Sequence, residues 1–159
     1  RPLIFVWISA TQTRNANTME KDQLEILNVS ININQSLDVV WDTWNDENQM
    51  KYWMFTSPDY EIKNAHNHLS IGGGYAYRMV AKSGGVDFDY GGTYTAIELN
   101  KFIAFTMTDG RKAEIVFSVI EDVVHIEMQF EAVEEQDADV QLNGWQALLN
   151  NFKNHVESV

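Results

Sequence analysis

The chain has 159 residues, a formal net charge of −12 and a hydrophobic fraction of 45%. This size suits one globular domain with a substantial buried core. An acidic surface repels phosphate backbones and anionic lipid, so neither nucleic acid nor a membrane is an expected partner. The sequence has no cysteine, which excludes disulfides, thiolate metal sites and a thiol nucleophile, and fits a reducing, cytoplasmic location.

The first eighteen residues differ from the rest of the sequence. Residues 3–8 form an apolar run that is too short to span a bilayer, and residues 11–18 are polar and lack periodicity. Arg1, the apolar run and Ser9-Ala10 are similar to the end of a signal peptide, but a complete charged region is missing. We interpret residues 1–18 as a leader or an added extension with little structure, and residues 19–159 as the domain, with Met19 as its natural start.

A strand and two short helices are predicted at the beginning of the domain. Apolar residues between positions 23 and 34 recur with near period-two spacing, and a phase slip between Ile26 and Val29 predicts a bulge. Ser36 can cap a first helix, and Asp46 starts a capping-box-like second one. The apolar positions are Leu37, Val40, Trp41 and Trp44 in the first helix and Met50 and Trp53 in the second.

Five short turns predict a meander of antiparallel strands after this region. The turn sequences are Gly72-Gly73-Gly74, Ser83-Gly84-Gly85, Asn100-Lys101, Asp109-Gly110 and Glu121-Asp122. Asp109-Gly110 predicts a hairpin with a type I′ turn, in which both central residues have positive φ.

Alternation of apolar and polar residues predicts which face of each strand is buried. The apolar sets are Tyr75, Tyr77 and Met79 in one strand, Ile115, Phe117 and Val119 in a second, and Val124, Ile126, Met128, Phe130 and Ala132 in the last. These three sets are expected to line one interior.

The C-terminal segment is predicted to be a long amphipathic helix. Steps of three and four residues place Leu142, Trp145, Leu149, Phe152 and Val156 in one apolar stripe. Gln141 and the asparagines at 143, 150, 151 and 154 are expected on the opposite, polar side, and Asp137 and Asp139 lie near the positive end of the helix dipole. The stripe needs a partner surface, which the strand meander supplies.

The element order and a set of short motifs together resemble one known group of proteins. The motifs, in order between about Glu20 and Glu157, are Val40-Trp41, Trp53, Ile71-Gly72-Gly73-Gly74, Arg78-Met79, Phe88-Asp89-Tyr90-Gly91-Gly92-Thr93-Tyr94, Asp109-Gly110-Arg111 and Gly144-Trp145-Gln146-Ala147. This set resembles the START-like (SRPBCC) superfamily, specifically its activator-of-Hsp90-ATPase-like branch of small single-domain proteins. The resemblance implies an α+β helix-grip fold, in which a curved antiparallel sheet wraps a long C-terminal helix.

Several positions depart from or explain this pattern. Relatives often carry an acid and a base where this chain has His68 and Ser70, and many have tryptophan at the position of Tyr60, so a polar site built there in relatives is not expected here. Gly91-Gly92 permits the sheet to kink. Gly144 is expected to allow close approach of helix and sheet.

An apolar cavity between the terminal helix and the sheet is the predicted binding site. Its expected lining is Trp41, Trp53, Tyr75, Tyr77, Met79, Phe88, Tyr90, Phe117, Met128, Phe130, Trp145 and Leu149. Each of these residues taken alone is also explained by core packing. Tyrosine hydroxyls, Thr95 and Thr106 would supply polar groups, with Arg78 and His68 as possible anchors, Arg78 for a carboxylate or phosphate. No cofactor and no metal are predicted.

Catalytic readings of the polar residues are alternatives to simple binding. Asp87 and Asp89 share one strand face and could act as acid and base or bind a hard cation, although solvation or pairing with Arg78 is the default. His66 and His68 have a metal-site spacing but no evident third ligand. Nucleophile and phosphate-loop motifs are missing.

The leading hypothesis is therefore a domain that binds a small apolar ligand. The alternatives are a cyclase- or hydrolase-like enzyme, which superfamily relatives include, and a chaperone-interaction module.

Overall fold

The computed structural model describes residues 24–85 and 87–159, so the predicted leader at residues 1–18 lies outside the described residues. The elements in chain order are strand β1 (Ile26–Ile33), helix α1 (Leu37–Asn45), a 3-10 turn (Met50–Tyr52), strands β2 (Tyr60–Asn67), β3 (Gly74–Ala81), β4 (Asp87–Glu98), β5 (Phe102–Met107), β6 (Lys112–Ile120) and β7 (Val123–Glu131), and helix α2 (Ala138–Glu157).

The seven strands form one antiparallel sheet in the order β1-β7-β6-β5-β4-β3-β2. Helix α1 and the 3-10 turn carry the chain from one edge strand to the other, and β2 to β7 then follow as a meander. The sheet curves into a half-barrel around helix α2, whose buried side chains join those of the inward-facing strand residues in one core. The predicted α+β helix-grip fold is confirmed.

Strand β1 is regular, so the predicted bulge was wrong. Its register with β7 runs without a break from the pair Ile26 and Glu131 to the pair Ile33 and Val124. Leu27 is buried, with 5% of its surface exposed, and it shares the inward face with Val29 and Ile33. The phase slip arose because Ile26, which lies on the other face, was counted in the alternating set.

The two predicted short helices are one α-helix and one 3-10 turn. Ser36 caps α1 as expected, since its Oγ accepts a hydrogen bond from the Val39 N–H at 3.4 Å. The expected capping box at Asp46 does not form, because the Gln49 side chain is hydrogen-bonded to His155 Nε2 at 2.6 Å. Without that reciprocal cap the segment makes only the short 3-10 turn, which still buries Trp53 completely.

The Asp109-Gly110 hairpin is present, but its turn is not type I′. Only Gly110 has positive φ, at 93°, and its N–H donates to the Met107 carbonyl at 2.8 Å. A three-residue loop ending in a left-handed glycine therefore replaces the two-residue turn. Two successive turn residues with positive φ, which were predicted at Asp109-Gly110, occur instead between β6 and β7, where Glu121 and Asp122 have φ values of 52° and 64°.

Helix α2 buries most of the predicted stripe, with two differences. Leu149, Phe152 and Val156 are fully buried, whereas Leu142 and Trp145 are only half-buried, and Trp145 lines an open cleft. Gln141, predicted on the polar side, is buried. Its side chain donates to the Val133 and Gln136 carbonyls and accepts from the Val133 N–H, so it satisfies the backbone of the connection between β7 and α2.

Two further expectations about packing need correction. Val119 is exposed, with 51% of its surface accessible, because it lies beside the β6–β7 turn at the end of the sheet. A Cβ atom on Gly144 would find Thr56 Cγ2 no nearer than 3.8 Å, so helix and sheet do not approach closely there. Close approach occurs within the sheet instead, where a Cβ on Gly91 would collide with the Tyr75 carbonyl oxygen.

Candidate functional site

Two adjoining clefts lie between helix α2 and the concave face of the sheet. The inner cleft has a volume of about 30 Å³, and the outer cleft has a volume of about 370 Å³. Tyr77, Trp145 and Leu148 line both of them. The two clefts therefore adjoin at these three side chains.

The inner cleft is apolar except for one asparagine and three tyrosines. Its apolar wall includes Met50, Met54, Ile103, Phe105 and Ile115. Asn67 accepts a hydrogen bond from the Tyr94 hydroxyl at 2.6 Å and donates to the Asn45 carbonyl at 2.7 Å. The Asn67 backbone N–H donates to Glu47 at 2.9 Å, so both polar ends of this asparagine are held in place.

Three tyrosines form a stacked row along strands β3 and β4. The ring centroids of Tyr75 and Tyr77 are 6.3 Å apart with an interplanar angle of 19°, and those of Tyr77 and Tyr90 are 5.8 Å apart at 25°. Tyr75 and Tyr77 are two residues apart on β3, so their side chains lie on the same face of the sheet. Tyr77 is the register partner of Tyr90 on β4. This row runs from the inner cleft to the outer one.

The hydroxyl groups of the row differ in their bonding. The Tyr90 hydroxyl donates to Met107 Sδ at 3.2 Å and accepts from Arg111. The Tyr75 and Tyr77 hydroxyls have no hydrogen-bond partner among residues 24–85 and 87–159. Burial raises the pKa of both residues well above its usual value, so the two phenols stay protonated and can donate.

Arg111 is the charged residue on the wall of the outer cleft, and the cavity prediction did not include it. Only 11% of its side chain is exposed, and its Nε lies 2.7 Å from Asp109 Oδ2. Nη1 donates to the Glu131 carbonyl at 3.0 Å and Nη2 to the Tyr90 hydroxyl at 3.2 Å. The sequence signal that could have found it is its place after the Asp109-Gly110 turn, where a hairpin brings it beside β4 and β7.

The predicted lining residues fall into two groups. Those that line a cleft are Tyr75, Tyr77, Met79, Phe88, Tyr90, Met128 and Trp145. Those that pack in the core without reaching either cleft are Trp41, Trp53, Phe117, Phe130 and Leu149. Ring contacts hold three of them in the core, since the ring centroids of Trp41 and Phe117 are 5.1 Å apart and those of Trp53 and Trp44 are 4.6 Å apart.

The polar anchors and acid–base candidates proposed from the sequence lie away from both clefts. Arg78 Nε is 2.5 Å from Asp87 Oδ1, and Arg78 Nη1 is 2.8 Å from Asp89 Oδ1. The three side chains form one ion-paired group on the outer face of β3 and β4. His68 is exposed in the connection between β2 and β3. Neither cleft brings any of these four residues into its wall.

The remaining polar candidates are also dispersed. Thr95 is exposed and Thr106 half-buried, and neither lines a cleft. His66 and His68 are both exposed, and the described part of the chain contains no group of three His, Cys, Asp or Glu side chains placed to hold a metal ion. Within that same part, no helix has the length and apolar character needed to cross a bilayer.

The fold and the cleft together define a helix-grip domain with an apolar depression beneath its terminal helix. The family model described as "Activator of Hsp90 ATPase homolog 1-like protein" matches residues 34–157. The chain belongs to this family, the branch of the START-like superfamily that the sequence motifs indicated.

Solved structures support the same assignment. The AHSA1-like protein from Aeromonas hydrophila is 32% identical, with a TM-score of 0.75 over 83% of this chain and 93% of that chain. Chr148 from Cytophaga hutchinsonii is 35% identical, with a TM-score of 0.73 over 82% of this chain and 91% of that chain. The Aha1 dimer from Colwellia psychrerythraea, at 15% identity and a TM-score of 0.64 over 84% and 97%, shares the fold. A comparison with curated proteins found no match.

Proposed function

We propose that this domain binds a small, mostly apolar molecule in the cleft between helix α2 and the sheet, in a reducing, cytoplasmic setting. The observation that carries the proposal is the outer cleft of about 370 Å³, which is within the size range of small-molecule sites and adjoins an apolar inner cleft. Ligand burial there would remove apolar surface of the half-buried Trp145 and the exposed Phe88 from water.

A glycine on helix α2 leaves part of the wall of the outer cleft without a side chain. Gly144 lines the outer cleft, and a Cβ there would contact only Thr56, at 3.8 Å. A larger side chain at position 144 would therefore occupy the outer cleft without disturbing backbone packing. This position offers a direct way to close the site from the helix side.

The experiment is an NMR titration of the ¹⁵N-labelled protein with toluene as an apolar probe, together with native mass spectrometry of the purified protein for retained molecules. We expect toluene to shift amide signals of the cleft-lining residues, and Gly144→Phe to weaken toluene binding at least about tenfold because the ring fills the cleft. Gly144→Ala is the matched control and is expected to bind as the parent does. Shifts confined to residues outside the clefts, or unchanged binding by Gly144→Phe, would overturn the proposal.

The described residues give no support to the two alternative functions, an enzyme activity and a chaperone contact. Asp87, Asp89 and Arg78 are ion-paired on the outer face, where they cannot reach a molecule held in either cleft, so a cyclase- or hydrolase-like activity loses the groups proposed for it. Contact with a chaperone rests on the family description alone. A pull-down with purified Hsp90 tests it separately, since it needs no cleft.

A further inference from the structure

We infer that Tyr75 and Tyr77 form a neutral hydrogen-bonding subsite at the inner end of the cleft, which selects ligands that carry a hydroxyl or carbonyl oxygen over ligands that carry a carboxylate. This inference rests on the proposed function, because it assigns the polar group of the molecule bound in that cleft. It names a ligand class, a neutral amphipathic molecule, and the two side chains that would recognise it.

The unpaired hydroxyls are the first observation. Tyr77 has 6% of its surface exposed, and neither its hydroxyl nor that of Tyr75 has a partner within the described residues. The other two tyrosines of this wall are already satisfied, Tyr94 by Asn67 and Tyr90 by Arg111 and Met107. Neither hydroxyl oxygen is among the fully buried polar atoms that lack a partner within the described residues, so both are open to the cleft, and a ligand oxygen that reaches them would replace water as their hydrogen-bond acceptor.

The charge of the surroundings is the second observation. Every described residue that lines the inner cleft is uncharged. Arg111 on the wall of the outer cleft already has Asp109 as its ionic partner at 2.7 Å. A carboxylate placed at Tyr75 and Tyr77 would lose its hydration without gaining an unpaired cation, whereas a neutral oxygen exchanges water hydrogen bonds for tyrosine hydrogen bonds at little cost.

The two phenols can donate to a ligand oxygen, and the charge of the whole chain acts against anions. Burial raises the pKa of Tyr75 and of Tyr77, so both side chains are neutral donors at physiological pH. The chain as a whole carries a net charge of −12, which adds a long-range repulsion of anions. This repulsion disfavours an anionic head group and leaves a neutral one unaffected.

The experiment compares three probes, 1-octanol, octanoate and toluene, by NMR titration at pH 7.5. The parent protein is expected to bind 1-octanol at least about tenfold more tightly than octanoate, because only the carboxylate pays for lost hydration. In the double variant Tyr75→Phe/Tyr77→Phe the affinity for 1-octanol is expected to fall about tenfold while toluene binding persists, since the rings stay and only the hydroxyls are lost. Tyr52→Phe is the matched control, because Tyr52 is 54% exposed and stacks on His155 outside both clefts.

The outcomes separate this inference from the proposed function. Equal affinity for octanoate and 1-octanol, or unchanged 1-octanol binding by the double variant, would overturn the subsite. Toluene binding in the same experiments would still support the cleft as a binding site. Failure of all three probes to shift cleft-lining amides overturns both proposals. The comparison of octanoate with 1-octanol uses the parent protein alone, so equal affinity for the two would overturn the subsite even where the double variant fails to fold.

Discussion

The Arg111 guanidinium donates a hydrogen bond of 3.2 Å from Nη2 to the Tyr90 hydroxyl. Arg111 thereby holds the outermost ring of the tyrosine row, and its bond from Nη1 to the Glu131 carbonyl at 3.0 Å ties the same side chain to β7. One arginine thus joins the β5–β6 turn to two strands that are not its sequence neighbours. Both Arg111 and Tyr90 line the outer cleft, so this junction forms part of its wall.

Replacing Arg111 with lysine is expected to lower the free energy of unfolding by about 2 kcal/mol, because a single ammonium cannot make the three forked contacts of the guanidinium. Urea denaturation followed by tryptophan fluorescence measures the change. Arg78→Lys is the matched control. Its side chain is 39% exposed, so its ion pairs are expected to contribute less than about 1 kcal/mol. Equal losses in the two variants would contradict the role given to Arg111.

A buried acid on β6 is expected to make stability depend on pH. Glu114 is 1% exposed, and burial raises its pKa to about 8. Its register partner on β7 is Gln129, and Glu114 Oε2 and Gln129 Oε1 both lack hydrogen-bond partners within the described residues. A protonated Glu114 can donate to the Gln129 amide oxygen, which would satisfy both atoms.

The direction of the pH effect follows from the raised pKa. The folded state keeps the Glu114 proton up to a pH of about 8, whereas the unfolded chain loses it near the ordinary carboxyl value, so this group's stabilisation declines as pH rises between those two values. Glu114→Gln keeps a neutral donor, and we expect it to exceed the parent in unfolding free energy by about 3 kcal/mol at pH 8.5 and far less at pH 4.5.

Urea denaturation at a series of pH values measures this difference, and subtracting the parent's curve removes the contribution of the other titrating groups. Glu98→Gln is the control, since Glu98 is exposed on β4 and its substitution removes the same charge. A difference between Glu114→Gln and the parent that stays constant from pH 4.5 to 8.5 would show that Glu114 does not carry the effect.

Removal of the Phe152 ring is expected to loosen the attachment of helix α2. Phe152 is fully buried, and its ring centroid lies 4.9 Å from that of Trp44 and 4.8 Å from that of Trp53. Phe152→Ala should cost about 4 kcal/mol because it leaves a cavity among rings that cannot collapse. Calorimetric melting tests the loss, with the exposed Tyr52→Ala as the control expected to change the melting temperature little.

Alanine is expected to have opposite effects at two glycines. A Cβ on Gly91 would collide with the Tyr75 carbonyl oxygen, so Gly91→Ala should destabilise the sheet by about 2 kcal/mol through forced backbone shifts. Gly144 lies inside helix α2 with free space around it, so Gly144→Ala should stabilise by about 1 kcal/mol through helix propensity. Thermal unfolding of the two variants compares them directly, and a shift of the same sign in both would contradict the packing described here.

The sequence by itself determined the elements and most of their buried faces. Strict alternation in β7, the three- and four-residue steps of α2 and the five turn sequences each express a local rule, because side-chain direction in a strand or helix follows from backbone periodicity. Some of these rules failed where a tertiary contact intervened, as at Asp46, where Gln49 bonds to His155, and at Gln141, which turns inward to the connection before α2. Others failed in local detail, as in the turn type at Asp109-Gly110.

Only the tertiary structure decided which inward-facing residues pack and which line a cleft. Periodicity assigns Trp53 and Tyr77 alike to the interior, but the space opposite each depends on sheet curvature and on the side chains of α2, which lie far away in sequence. The same holds for the two arginines, since Arg78 is engaged on the outer face and Arg111 reaches the cleft through a hairpin. A cleft is space left between distant segments, so no local pattern can locate it.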